Sequence, residues 1–165
     1  MAARNAAYWI KELDLIDHPE GGYYKETYRS NYKISHHEFR GERNASTAIY
    51  FLLVQDNFSA FHRIKSDELW HFYDGDPVSI FVIGKAGNLD CIKLGLNAAK
   101  GEVPQAVVSA GCWFASCVDS GGAYGLVGCT VSPGFDFQDF ELADRKDLSQ
   151  LFPQHTELIN KFTRS

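Results

Sequence analysis

From Ser46 onward apolar and polar positions alternate in short runs broken by glycine, proline, asparagine and aspartate, the period-two pattern of half-buried strands. The runs are Thr47–Val54, Ser59–Ile64, Glu68–Tyr73, Pro77–Ile83, Asp90–Leu94, Gln105–Val108, Cys112–Val118, Tyr124–Val131 and Phe135–Glu141. About nine strands with no long helix between them predict an all-β antiparallel sandwich or barrel rather than a parallel sheet. Ahead of them, Asn5 can cap a helix running to about Leu15, with Trp9, Ile10, Leu13 and Ile16 on one buried stripe. A break at His18-Pro-Glu-Gly-Gly22 then feeds a strand over Tyr23–Tyr28. Ile34–Asn44 is polar enough for a loop or solvated edge, which makes His36-His37 a surface feature. The tail, Asp144–Phe162, returns to a helical pattern that Pro153 splits in two.

At 165 residues, 45% of them hydrophobic, the chain suits one domain over residues 1–165. A net charge of −5 leaves no overall basic field for nucleic acid or anionic lipid, so the expected partner is a small molecule. Lys11, Glu12 and Asp14 interrupt any secretory apolar run, and no stretch approaches the ~18 apolar residues of a bilayer span. A cytoplasmic protein is expected. Cys91, Cys112, Cys117 and Cys129 lack Cys-x-x-Cys spacing and are expected as reduced thiols rather than bridges or zinc ligands.

The richest chemistry lies between Ser59 and Gly75. The apolar alternation of Ala60–Ile64 and the period-two repeat of Glu68, Trp70 and Phe72 let His62 and Glu68 face one enclosed space. A buried carboxylate near a histidine can hold either proton state close to neutrality; the bland alternative is a mutually satisfied buried pair. Trp70, Phe72 and Phe114 are either core filling or a stacking wall for a sugar or planar base. Lys25, Glu26 and Arg29 stand beside Tyr23, Tyr24 and Tyr28, a density of polar groups that suits a cavity rim or a subunit seam. Arg40, Arg43 and Arg63 are cationic candidates for phosphate. The ligand-contacting set read from the sequence is therefore Tyr24, Glu26, Tyr28, Tyr50, Arg63, Trp70, Phe72 and Phe114, around a catalytic pair of His62 and Glu68.

Four motifs in one order, His18-Pro-Glu-Gly-Gly-Tyr-Tyr24, Ser46-Thr-Ala-Ile-Tyr-Phe-Leu-Leu53, His62…Glu68-Leu-Trp-His71…Gly75-Asp-Pro77 and Gly128-Cys-Thr-Val-Ser-Pro-Gly-Phe-Asp-Phe-Gln-Asp-Phe-Glu-Leu142, resemble the cupin superfamily and its single-domain branch of unassigned function. The resemblance implies a double-stranded β-helix, or jelly-roll barrel, with short terminal helices, a ligand in the barrel cavity and a homodimer built on the early strand. In metal-binding cupins two histidines and a glutamate act with a later histidine. His62 and Glu68 match the first histidine and the glutamate, but Ile64 and Phe114 stand at the other two positions. No metal and no cofactor is expected on that ligand set.

Three functions follow from this reading. One resembles the sugar-nucleotide epimerases among cupins: proton abstraction next to a carbonyl without metal, with His62 as base, Glu68 orienting it and Tyr28 or Tyr50 returning the proton. The aspartate with which those enzymes pair their histidine has no counterpart in the motifs. The second is a module that binds a nucleoside diphosphate or sugar nucleotide without chemistry. The third is a metal-dependent oxygenase or isomerase with a reduced ligand set, against which Ile64 and Phe114 count directly.

Overall fold

The Asn5 side chain accepts the Tyr8 N–H at 2.8 Å and so starts helix α1 (Ala6–Glu12), as its cap position predicts. The computed structural model describes residues 4–164; residues 1–3 and 165 of the expected domain lie outside the described residues. In chain order the first strands are β1 (Ile16–Asp17), β2 (Tyr23–Arg29), β3 (Lys33–Ile34), β4 (Arg43–Asn44), β5 (Thr47–Val54) and β6 (Phe58–Arg63). They are followed by β7 (Asp67–Gly75), β8 (Val78–Ile83), β9 (Leu89–Leu94), β10 (Gln105–Val108), β11 (Trp113–Val118), β12 (Tyr124–Ser132) and β13 (Glu141–Leu142). Helices α2 (Arg145–Leu151) and α3 (Thr156–Lys161) close the chain, separated by a 3-10 turn that begins at Pro153.

A large antiparallel sheet of order β1-β2-β5-β12-β7-β10 faces a smaller one of order β13-β6-β11-β8-β9. Strands that follow one another in the chain commonly belong to opposite sheets, which is the jelly-roll arrangement. Inward residues of both sheets, among them Phe51, Leu53, Trp70, Ile80, Phe114 and Val127, meet in one central core. The two outer faces are covered separately. Helix α1 with Leu15 seals Leu52 and Leu126 on the large sheet, while Leu148, Ile159 and Phe162 from the tail cover Phe61, Ile83 and Trp113 on the small one. Among the described residues no helix is long and apolar enough to cross a membrane.

One expected strand is absent. The alternation Phe135-Asp-Phe-Gln-Asp-Phe-Glu141 mimics period two, yet the segment forms a 3-10 turn over Phe137–Asp139 and only then the two-residue β13. One local and one long-range partner compete with the ladder: Asp136 Oδ1 accepts the Gln138 N–H at 2.9 Å, and Asp139 Oδ1 and Oδ2 accept from the distant Arg43 at 2.9 and 2.6 Å. The polar stretch after Ile34 is a loop closed at its ends by the pairing of β3 with β4.

Candidate functional site

Between β1 and β2 the chain must reverse while approaching β6 of the opposite sheet, and two consecutive glycines make this possible. Gly21 and Gly22 adopt φ of +110° and +81°, and a Cβ on Gly21 would overlap the Phe58 carbonyl. The turn closes through His18 N–H to Gly22 O at 2.9 Å, and Ala60 N–H donates to Glu20 O at 2.9 Å. Glu20, a charged residue in a turn, thereby points into the barrel, where it is only 7% exposed.

There its carboxylate lies 3.0 Å from Nε2 of His62, which β6 places inward and which is 3% exposed. His62 Nδ1 sits 2.7 Å from the Ala60 carbonyl, an atom that only accepts, so Nδ1 carries a proton. Burial opposes charging of His62, but the charge and hydrogen bond of Glu20, with smaller help from Glu68, hold its pKa above the ordinary histidine value. Burial alone would likewise raise Glu20; His62 outweighs it and holds Glu20 below the ordinary carboxylate range. The result is a buried ion pair in which both imidazole nitrogens are engaged. Phe114 and Phe140 pack against the ring, with centroids 4.1 and 5.3 Å away.

Glu68, at the start of β7, is shifted the other way. Burial pushes its pKa up to about 7, Glu20 adds to the rise, and His62 and the Cys129 thiol only partly oppose it. Cys129 itself is pushed far up by burial and by Glu68, so it is a thiol and no nucleophile. His18 is pulled below the ordinary histidine value chiefly by its own burial, and its Nδ1 accepts the Glu20 N–H at 3.2 Å. Neutral His18 therefore carries its proton on Nε2.

These side chains line a cavity of about 380 Å³, within the range of small-molecule sites. His18, Glu20, His62, Glu68 and Cys129 line it together with Tyr24, Ile49 and Ile64; Glu26, Arg29, Asp136, Phe135 and Phe137 also contribute. Arg29 is spoken for: it donates to both Glu26 carboxylate oxygens at 2.9 and 2.7 Å, to Asn44 at 3.0 Å and to the Phe135 carbonyl at 3.2 Å.

Of the side chains singled out in the sequence, His62, Glu68, Tyr24, Glu26 and Arg29 line this cavity. Tyr28 and Tyr50 do not: register pairs them with Ala48 and Lys25 on the outer face of the large sheet, where Tyr28 is exposed and Tyr50 packs edge-on to Tyr73. Arg63 points outward, bound to Glu141 at 2.7 Å and lying 4.5 Å over the Trp113 ring. Trp70 and Phe114 are inward but fully buried, and Phe72 packs on the same cluster, so these rings fill the barrel rather than line an open wall. Arg43, a phosphate candidate, is buried against Asp139. The residues that sequence reasoning passed over are Glu20 and His18. The available signal was an acidic residue directly before two glycines, a place where the backbone must come close to another strand.

A cupin metal does not fit this donor set. His62 has no free nitrogen, Ile64 and Phe114 occupy two ligand positions, and among the described residues no group of three or more His, Cys, Asp or Glu side chains converges as metal ligands.

The family model described as Cupin superfamily (DUF985) matches residues 7–143. An uncharacterized protein of Saccharomyces cerevisiae is 32% identical over 154 residues, an alignment covering 84% of this chain and 75% of the relative. A hypothetical protein from Leishmania major superposes with a TM-score of 0.93 at 38% identity, over 98% of this chain and 100% of that one. A Shewanella oneidensis protein gives 0.90 at 42% identity, over 98% and 99%. Oxalate decarboxylase of Bacillus subtilis shares the fold alone, with a TM-score of 0.55 at 11% identity over 88% of this chain and 36% of that one.

Proposed function

The chain belongs to the DUF985 family of the cupin superfamily, and from this we propose that its barrel cavity takes a small polyhydroxylated carbonyl compound, a sugar, and moves a proton at the carbon beside the carbonyl without a metal. One observation carries this reading: one cavity is lined by two buried carboxyl groups whose surroundings shift them in opposite directions, Glu20 held below the ordinary range by His62 and Glu68 pushed up to about 7 by burial. Environments that separate the states of paired carboxyls are how proteins assign acid and base roles at neutral pH.

In the proposed reaction the ionised fraction of Glu68 takes the proton from the carbon, and the electron pair moves onto the carbonyl oxygen as an enediolate. The Nε2–H of neutral His18 donates to that oxygen. Glu68, now protonated, returns the proton to the former carbonyl carbon while the proton of the neighbouring hydroxyl crosses to the oxyanion, so the carbonyl moves by one carbon and the step balances with no oxidant or co-reactant. His62 is the counter-ion that keeps Glu20 charged and in place, a role different from the direct base that its position in the sequence motif invites.

A nucleoside diphosphate on the sugar would need a cation for its phosphates. Besides the Glu20-bound His62, Arg29 is the cationic side chain lining the cavity; it is held by Glu26 and the cavity is also lined by Asp136, so a diphosphate would have to displace a carboxylate to reach it. The proposed homodimer would use the early strand: among the described residues the two-residue β1 pairs with β2 only at Tyr23 and Tyr24, which leaves the edge from Lys25 to Arg29 for a second copy. Light scattering of the purified chain reports the mass.

The test is a thermal-shift screen of free sugars, sugar phosphates, nucleoside diphosphates and sugar nucleotides. A ligand at 100 times its dissociation constant adds about 2.7 kcal/mol of stability. The stabilising sugar is then incubated in D2O. Deuterium at the carbon beside the carbonyl, lost in Glu68→Gln while binding persists, is the expected result; saturable binding with no exchange leaves a binding module instead.

A further inference from the structure

The pair Glu20–His62 joins opposite sheets, so no strand register sets its 3.0 Å separation. Part of the joint is local: Ala60 N–H reaches Glu20 O at 2.9 Å. The rest arrives from the end of the chain. Arg164 Nη2 lies 3.4 Å from Glu20 O, 3.0 Å from Phe58 O and 3.1 Å from Asn57 Oδ1, and its guanidinium sits 4.6 Å over the Phe58 ring. The backbone just before it is pinned to the same strand, because Phe61 N–H donates to Phe162 O at 2.8 Å. Gly21 leaves the space this requires, since a Cβ there would overlap both the Phe58 carbonyl and the Arg164 guanidinium.

We propose that Arg164 is a positioning residue for Glu20: by tying the Glu20–Gly22 turn to β6 it holds the carboxylate against His62. The assignment rests on the Glu20–His62 pairing of the proposed function but not on any substrate. Three carbonyl or amide oxygens converge on one guanidinium nitrogen from two segments, 20 and 57–58, that the chain keeps 37 residues apart; that convergence, rather than charge, is what a strut needs. The titratable groups facing His62 are Glu20 and His18 from the turn and Glu68 from β7, while Phe114 and Phe140 contribute only ring surface.

The experiment is histidine-15N NMR of the full chain near neutral pH, on wild type, Glu20→Gln, Arg164→Ala and Arg164→Lys, with a thermal midpoint for each. Wild type should show His62 as imidazolium with two protonated nitrogens, and Glu20→Gln should lose that signature. Arg164→Ala should lose most of it while still melting cooperatively, and Arg164→Lys should restore part. A wild-type His62 spectrum in Arg164→Ala overturns the assignment and leaves Arg164 as a tether of the tail. Should Arg164→Ala fail to fold, Arg164→Gln, which retains an N–H donor, decides by the same comparison. A neutral His62 in wild type, unchanged by Glu20→Gln, is a separate result that removes the pairing itself and the assignment with it.

Discussion

Glu68 carries a consequence for stability that needs no ligand. Its ordinary value is 4.5 and its folded value about 7, so between these the folded state keeps a proton that the unfolded chain has released. Stability from this group is therefore lost as pH rises from 4.5 to 7, and above that window the buried carboxylate costs about 3 kcal/mol. Glu68→Gln abolishes the term: calorimetry should find the variant gaining on wild type at pH 8 relative to pH 5. An unchanged difference between the two pH values would mean that Glu68 is solvated and unfit as the cavity's acid. At this scale the sequence was partly legible. Period two alone turned His62 and Glu68 inward, as they are, whereas Glu20 was not reachable from periodicity because it sits in a turn, where side-chain direction depends on two positive-φ glycines.

Elements rather than residues hold the roof of the cavity. Phe135, Asp136 and Phe137 line it, and Phe140 stacks on His62, all from a segment with little ladder of its own. Its anchors are the Phe135 N–H to Thr47 Oγ1 bond at 2.9 Å, the Arg29 contact to Phe135 O, and the two-pronged Arg43–Asp139 pair. Both partners of that pair are nearly solvent-free, so removing one leaves a buried charge unpaired. Arg43→Met should cost about 3–5 kcal/mol in urea denaturation, and Arg43→Met with Asp139→Leu should recover much of it, because an apolar pair can replace a buried ionic one. A loss below about 1 kcal/mol for Arg43→Met would show the pair to be screened like a surface one. The apolar–polar alternation of 135–141 predicted a strand here, and it failed because Asp136 and Asp139 found partners in the turn and in a segment about a hundred residues earlier. Elsewhere the element reading was close: β5 and β10 run over the residues that their alternation marks, and the tail breaks at Pro153.

For the whole molecule, the donor set decides what chemistry the barrel supports. With both His62 nitrogens engaged and Ile64 and Phe114 in place, elemental analysis of the purified chain should find iron, zinc, manganese and nickel well below one atom per chain, and chelator should leave the melting temperature and any sugar binding unchanged. A stoichiometric metal, with a melting temperature that falls on chelation, would overturn the metal-free reading. The tail matters at this scale too, since α2 and α3 bury Phe61, Ile83 and Trp113 on the outer face of the small sheet and deliver Arg164 to the Glu20 turn.

The sequence by itself determined the all-β architecture, the inward placing of His62 and Glu68 and the absence of a histidine at two cupin ligand positions. Each of these is a local property: period, turn chemistry and residue identity are written in neighbouring letters. Only the tertiary structure decided the proton states and the partners. Burial sets the state of Glu68, and the His62 partner comes from a turn 42 residues earlier on the opposite sheet, so neither can be read from spacing along the chain. The same holds for Tyr28, which carries the right chemistry but faces away because the bulge between Glu26 and Tyr28 resets the face, a decision made where the strands pair; Tyr50 beside inward Phe51 and Arg63 beside inward His62 face out by alternation itself.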